Sequence, residues 1–333
     1  MASALPVIDV APLVGGRGNV DAVAEAMDAA CRADGFFTVV GHGVPPGAQA
    51  RLEAAAREFF ARPEDEKARV GMDRGGRAWR GWFPVGGELT SGVADHKEGL
   101  YLGTDLLADD PRARAGTPLH GPNLWPDRPA DLRPAAEAWM EAMGGLARSL
   151  LRGLARGLGL ADDWFDRNLT TDPTVLFRIF HYPPVREDMA GWGVAEHTDY
   201  GLLTLLAQDH HGGLQVRTAE GWIDVPPEPA AIVCNIGDML DRMTGGRYRS
   251  TPHRVRPSRT ACRLSLPYFF DPSWDAAVRP LPLAGSPPAD DVASRWDGTS
   301  LRDLDGTYGE YLTAKVAKVF PALAEEAGSL RRR

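Results

Sequence analysis

Within Glu196–Leu206 the chain reads EHTDYGLLTLL, so His197 and Asp199 stand one residue apart at the edge of an apolar run. If this stretch is a strand, both side chains leave the same face, because strand side chains alternate with period two. Their Cβ atoms then sit about 7 Å apart, two rises of ~3.3 Å. From that separation an imidazole and a carboxylate can converge on one ion at about 2 Å from each. On a helix the same pair would point ~200° apart and could not meet. Taken alone, a His-x-Asp at a strand mouth is a satisfied hydrogen-bond pair more often than a metal site.

The residues downstream change that reading. GRYRSTPHRV places His253 in another short β-like segment after a Gly-rich turn. RLSLPYFF then places Arg263 and Ser265 at i, i+2 spacing, on one face of a strand. Two His and one carboxylate with open positions favour non-haem Fe(II) among metals. An Arg and a Ser sharing a neighbouring face can clamp a carboxylate through a guanidinium fork and a hydroxyl.

The elements that must carry these side chains follow from patterning. PVIDVAPL reads as a short strand and FFTVVGHGVP as a buried strand running into a turn. VDAVAEAMDAACRADG reads as an amphipathic helix, with Val20, Val23, Ala24, Met27 and Cys31 on one stripe and Gly35 at its end. GAQARLEAAAREFFARP is a second helix, stopped by Pro63. Residues 67–127 are rich in Gly, Pro and Trp and read as loops with a few strands. Asp131–Leu160 carries a long helical pattern with a break expected at Gly144-Gly145. From Val175 onward, TVLFRIFHYPP, GLLTLLAQD, GLQVRT, GWIDVPP, AAIVCNIGD, STPHRVRP and RLSLPYFFDP are short β-branched and aromatic segments separated by Gly, Pro, Asn and Asp. That rhythm signals an antiparallel sandwich or barrel. LDGTYGEYLTAKVAKVFPALA closes the chain as a helix. The expected class is α+β, with a mixed α/β N-terminal part packed on an all-β core.

With 333 residues, 44% of them apolar and 25% charged, the chain is an ordinary globular one with a substantial core. Its net charge of −8 argues against a nucleic-acid or anionic-membrane surface, and the terminal RRR reads as a solvated tail. Neither a signal peptide nor an apolar run approaching ~18 residues is present. Cys31, Cys234 and Cys262 are odd in number and contain no CxxC pair. They fit reduced thiols in a cytoplasm and exclude a disulfide framework or a cysteine-built zinc site.

These motifs together resemble the 2-oxoglutarate- and Fe(II)-dependent dioxygenases, in the branch that includes isopenicillin N synthase and plant hormone oxidases. That family's pattern is H-x-D, a His about fifty residues on, then R-x-S. Here His197-x-Asp199 is followed by His253, fifty-four residues after Asp199, and by Arg263-x-Ser265. FHYPP, GLLTLLAQD, GGLQV, NIGDMLDRMTGG, STPHRV and the N-terminal LPVIDVAPL, DGFFTVVGHGVP and EFFARPEDEK add to the likeness, which covers nearly the whole chain.

The resemblance implies a double-stranded β-helix (jelly roll) core flanked by helices. It divides the chain into an N-terminal dioxygenase region (1–125), a long linking helix (126–172), the jelly-roll core (173–275) and a C-terminal extension with a helix (276–333). It implies Fe(II) held by His197, Asp199 and His253, with O2 and 2-oxoglutarate as cosubstrates. The distal carboxylate of 2-oxoglutarate would meet Arg263 and Ser265, with Tyr182 hydrogen-bonding the cosubstrate. The products would be succinate, CO2 and an oxidised small molecule, through hydroxylation, desaturation or ring closure, with secondary metabolism as one setting. An oxidase that uses no 2-oxoglutarate, an ethylene-forming variant and a non-catalytic ligand-binding jelly roll are the competing readings. One departure stands out: where many plant members have Asn two residues before the Tyr of N-x-Y-P, this chain has Phe180.

Arg178 shares strand parity with Tyr182 and would meet an acidic substrate or form a structural ion pair. Trp79, Phe83 and Tyr101 in the Gly-rich segment are candidates for a substrate pocket, with ordinary packing as the alternative; Trp82 has the same two readings. His42 reads as a turn residue, His96, His210 and His211 as loop residues, and His181 as facing away from Tyr182. Trp222 and Trp274 read as core. VGGRG lacks the context of a phosphate loop.

Overall fold

Among the described residues, the turn-punctuated stretch from Pro173 to Ser273 folds as eight strands, and six more precede it. The computed structural model describes residues 4–185, 191–286, 288–290, 292–295, 298, 300–301 and 303–320, so the RRR tail and the end of the expected last helix lie outside the described residues. In chain order the strands are β1 (Val7–Asp9), β2 (Phe36–Val40), β3 (Gly81–Phe83), β4 (Leu89–Thr90), β5 (Val93–Ala94), β6 (Glu98–Gly103) and β7 (Pro173–Tyr182). There follow β8 (Val194–His197), β9 (Leu203–Gln208), β10 (Leu214–Thr218), β11 (Gly221–Asp224), β12 (Ile232–Ile236), β13 (His253–Val255) and β14 (Arg263–Ser273).

The strands form a major sheet ordered β1-β2-β12-β9-β14-β7-β6-β3 and a minor sheet ordered β11-β10-β13-β8, with β4-β5 a separate hairpin. All pairings are antiparallel except β1 with β2. A cavity lies between the two sheets, lined by β7, β9 and β14 on one side and by β8, β10 and β13 on the other. This is the jelly-roll core. The N-terminal strands bond into it directly, β2 against β12 at one end and β6 against β7 towards the other.

The central helix spans Leu132–Gly157 without interruption, which corrects the break expected at Gly144-Gly145. Trp139, Met143, Leu146 and Leu150 continue the buried stripe across the two glycines at helical spacing. Burying such side chains is worth ~1.5–3 kcal/mol each, more than the ~1 kcal/mol that a mid-helix glycine costs. The helix rests on β9 and β14 and carries the Val20–Ala33 and Ala48–Phe60 helices on its other side. Gly35, at the end of the first of these, has φ +64°, and a Cβ there would lie 1.7 Å from the Arg249 carbonyl oxygen. Only glycine fits.

The last helix, Tyr308–Val319, opens with a reciprocal cap: Thr307 Oγ1 accepts from the Glu310 amide at 3.3 Å, and Glu310 Oε2 accepts from the Thr307 amide at 2.9 Å. Leu312, Lys315, Val316 and Val319 on this helix line the cavity.

The two mid-helix glycines differ in surroundings. A Cβ at Gly145 meets nothing within 4 Å, whereas one at Gly144 would lie 3.1 Å from the Tyr268 hydroxyl. Gly145→Ala is expected to raise the unfolding free energy by ~0.5–1 kcal/mol, and Gly144→Ala to gain less or lose stability. Urea unfolding of both variants checks this.

Candidate metal centre

Strand register brings the two histidines together. His253 on β13 is the direct partner of His197 on β8, and the ring centroids are 4.2 Å apart. Cross-strand partners sit ~4.5–5.5 Å apart at Cβ, so two residues far apart in the chain collapse to side-chain contact. Each ring is oriented by its inner nitrogen: His197 Nδ1 lies 2.8 Å from the Ala195 carbonyl oxygen, and His253 Nδ1 3.2 Å from that of Thr251. With those nitrogens donating, both Nε2 atoms are left as lone-pair ligands. Phe36 meets the His253 ring edge-on at 5.3 Å.

Asp199 arrives differently from the expectation. β8 ends at His197 and β9 begins at Leu203, so Asp199 lies in the turn between them and the alternation of a single strand does not place it. The backbone of that turn is pinned instead. The Asp238 amide donates to the Asp199 carbonyl at 2.7 Å, and the Met239 amide to the Tyr200 and Gly201 carbonyls at 3.1 Å. Gly201 and Gly237 permit the close approach: a Cβ at Gly201 would meet Asp271 Oδ1 at 1.4 Å, and one at Gly237 would meet the Gly201 carbonyl oxygen at 2.4 Å. Thr204 Oγ1 and Asn235 Nδ2 both donate to Asp199 Oδ2, at 2.6 and 2.7 Å. Oδ1 is thereby turned to the histidines, 3.9 Å from His197 Nε2 and 3.7 Å from His253 Nε2.

One donor atom from each of the three residues lies within 4.8 Å of the others. This is the only such cluster of three or more His, Cys, Asp or Glu among the described residues. Burial, reinforced by His253, pushes the His197 imidazole down to about 4, so it is neutral at physiological pH. Burial opposes the Asp199 carboxylate, but His253, His197, Asn235 and Thr204 outweigh it and hold the group below its usual range. Two imidazoles and a carboxylate fit ferrous iron as a donor set.

Deeper in the same cavity, Arg263 on β14 is 1% exposed. Its Nε donates to the Gly212 carbonyl and its Nη2 to Gln208 Oε1 at 3.2 Å, while Nη1 is buried with no partner. Tyr182, its direct partner on β7, lays its ring 4.7 Å from the guanidinium and places its hydroxyl 3.2 Å from Ser265 Oγ. A fixed guanidinium with an unused N–H, beside two hydroxyls, is built to receive an anion.

Arg178 also lines the cavity. Trp79, Phe83 and Tyr101 are buried but are not among the lining residues. Phe83 packs edge-on against Tyr101, Phe180 and Phe320, and Tyr101 lies against Arg178 at 4.1 Å. Phe180 does line the cavity, with Lys97 Nζ 4.7 Å over its ring, so this position presents an apolar face and no amide. His181 turns away as expected, to Glu98 Oε1 at 2.9 Å and the Phe60 ring. Asn235 and Thr204 were missed because their role depends on strand order, β12-β9, which no local pattern encodes.

The two ends of the chain match known families: residues 5–128 the non-haem dioxygenase in morphine synthesis N-terminal family, and residues 173–272 the 2OG-Fe(II) oxygenase superfamily. A probable iron/ascorbate oxidoreductase of Dictyostelium discoideum is 43% identical over 90% of both chains. The 2-oxoglutarate-dependent dioxygenase citB of Monascus ruber is 38% identical over 88% of this chain and 90% of its own. Among solved structures, a full-length Neurospora crassa protein in complex with alpha-KG superposes with a TM-score of 0.76 at 26% identity, covering 94% of this chain and 96% of that one.

Since Asp199 is aimed by two donors, Asn235→Ala and Thr204→Val should each weaken metal binding by ~10–100-fold. Anaerobic Fe(II) titration of the two variants reads this directly; unchanged affinity would mean that the turn backbone alone orients the carboxylate. With its ligand geometry, its buried anion grip and these relatives, the chain belongs to the 2OG-Fe(II) oxygenase superfamily and is an Fe(II)- and 2-oxoglutarate-dependent dioxygenase.

Proposed function

We propose that His197, Asp199 and His253 hold the iron, that Arg263, Ser265 and Tyr182 grip the distal carboxylate of 2-oxoglutarate, and that the remaining cavity orients a small molecule for hydroxylation. The observation that carries this reading is the buried, unpartnered Arg263 Nη1 in the same cavity as the three metal-ligating side chains. Bound ferrous iron supplies the redox chemistry that couples O2 and 2-oxoglutarate to substrate oxidation, giving succinate and CO2. The chain supplies orientation. Gln208 and Gly212 hold the Arg263 fork in place before the dicarboxylate arrives, which spares ordering entropy on binding.

A cavity of about 530 Å³ accommodates a small cosubstrate together with a small substrate. Its walls include Leu176, Val194, Leu206 and Leu312 beside the polar groups already described, so part of the lining is apolar surface against which a substrate body can pack. Arg178 lies on the substrate side of this cavity, with Tyr101 and Phe83 behind it rather than facing the substrate. Trp79 is a buried residue of the hydrophobic core. Among the described residues no helix is long and apolar enough to cross a membrane. Three free cysteines, two of them buried, support a reducing, cytoplasmic setting.

The wild-type protein, given Fe(II), ascorbate, O2 and 2-oxoglutarate, is expected to release succinate even without substrate, in uncoupled turnover. Asp199→Ala should abolish both Fe(II) binding and succinate release. Arg263→Gln should raise the KM for 2-oxoglutarate at least about 30-fold, the ~2 kcal/mol lost when a buried charged partner is removed. O2 consumption with no succinate from the wild-type protein would instead identify an iron oxidase that needs no 2-oxoglutarate.

A further inference from the structure

Several cations line the cavity, and their partners differ. Arg263 is committed to the anion grip described above. Lys315, on the last helix, lies 3.4 Å from Asp238 Oδ2 and over the Tyr200 and Tyr311 rings. Lys97 is 1% exposed and engages two carboxylates, Glu88 Oε2 at 2.7 Å and Asp95 Oδ2 in a short contact. Lys318 is exposed at the mouth.

Arg178 is held in another way. It sits on β7, in the middle of three strands, and its guanidinium lies 4.1 Å from the ring centre of Tyr101 on β6 and 4.9 Å from that of Phe269 on β14. Tyr101 is its direct cross-strand partner. Two flanking rings fix the position of the cation and strip it of water. Its nearest anion is Glu88 Oε1 at 3.6 Å, beyond hydrogen-bond reach, and that oxygen already takes the Tyr101 hydroxyl. The guanidinium makes no hydrogen bond among the described residues, and its Nε is buried with no partner. Asp271, also on the cavity wall, spends its carboxyl on the Tyr308 hydroxyl at 2.6 Å and the Leu202 amide at 3.1 Å.

A second buried arginine acts on the first. Arg80 is 2% exposed and donates to the Leu119 carbonyl at 2.8 Å, and burial followed by repulsion from Arg178 pulls it down to about 10. Glu88 and Asp95 are shared with Lys97, and neither is within hydrogen-bond reach of the Arg178 guanidinium. A buried charge without a hydrogen-bonded partner costs several kcal/mol unless a ligand supplies one. The planar fork of an arginine is answered best by a two-oxygen planar anion. Towards the mouth the cavity turns apolar, with Leu89, Leu312, Val316 and Val319 facing inward.

We propose that Arg178 is a substrate-recognition residue that receives a carboxylate, and that the substrate is an organic acid with an apolar body lying under the last helix. This rests on the iron and 2-oxoglutarate reading of the same cavity. The carboxylate docks on the cavity-facing edge of the Arg178 guanidinium, which the Tyr101 and Phe269 rings hold in place, the apolar body reaches past the metal-ligating residues, and the unreactive acid end fixes which carbon is presented for oxidation.

The test uses the wild-type protein under anaerobic conditions with saturating Fe(II) and 2-oxoglutarate, so that Arg263 is already occupied. Benzoate, 3-phenylpropanoate and octanoate are titrated calorimetrically, each beside its uncharged primary amide. At least one acid is expected to bind, with its amide at least tenfold weaker. Arg178→Gln should erase that preference, and Arg178→Lys should keep part of it. Failure of all three acids, acids and amides binding alike, or a preference that survives in Arg178→Gln would overturn the proposal. Should Arg178→Gln not fold, the wild-type comparison and Arg178→Lys decide it. Titrating 2-oxoglutarate into the Fe(II)-loaded wild type separates the two levels. No cosubstrate binding defeats the underlying reading, whereas normal cosubstrate binding without acid preference defeats only this inference.

Discussion

The register of β8 against β13 is the constraint on which the rest of the site depends. His197 and His253 are direct partners across that pair. A slip of one residue would send one imidazole to the opposite face of the sheet and leave no chelate. The minor sheet is short, four strands of three to five residues, so its register is not secured by length. It is secured by turns and by what packs on them: the 199–202 turn is bonded to the start of the Asp238–Met243 helix and to Asp271 on β14. The metal site thus joins the two sheets, and its geometry reports on both.

The polar side chains of the cavity are arranged in tiers. The donors to Asp199 Oδ2 come from β9 and β12, which adjoin in the major sheet, although Asp199 itself belongs to the turn leaving the minor sheet. The anion grip is built along β14 and β7, where Arg263 faces Tyr182 across the pair. A third tier lies on and beside β6 and β7, where Lys97, Glu88, Tyr101 and Arg178 bury charge beside apolar wall. Charge buried in this manner gives up hydration, so it is tolerated where it is paired or where an incoming group completes it. The three tiers set the His197–Asp199–His253 cluster, the Arg263 site and the Arg178 site in one cavity, each built from different side chains.

Legibility in the sequence follows the range of the interactions. Helices at Val20–Ala33 and Ala48–Phe60, and the strands β7 and β9 to β14, were readable because periodic burial and turn residues are local signals, whereas β8 was not read as a strand of its own. Arg263 and Ser265 were readable as a pair for the same reason, since i, i+2 on one strand holds in isolation. The break expected at Gly144-Gly145 failed because a local preference of ~1 kcal/mol yields to a buried stripe running along the whole helix. The His-x-Asp argument named the right residues by a route the fold does not take, since Asp199 lies outside the strand and is held by its neighbours.

By itself, then, the chain determined its candidate ligand types, their order, the β scaffold around them and the placing of Arg263 and Ser265 on one strand face, because each rests on residue chemistry and near-neighbour periodicity. The tertiary structure alone decided that His197 and His253 are register partners, that Asn235 and Thr204 aim the Asp199 carboxylate, and that Arg178 lies between two rings with no hydrogen-bond partner among the described residues. Those facts depend on which strands lie side by side and on what is shielded from water, and both are properties of the assembled sheets rather than of any segment.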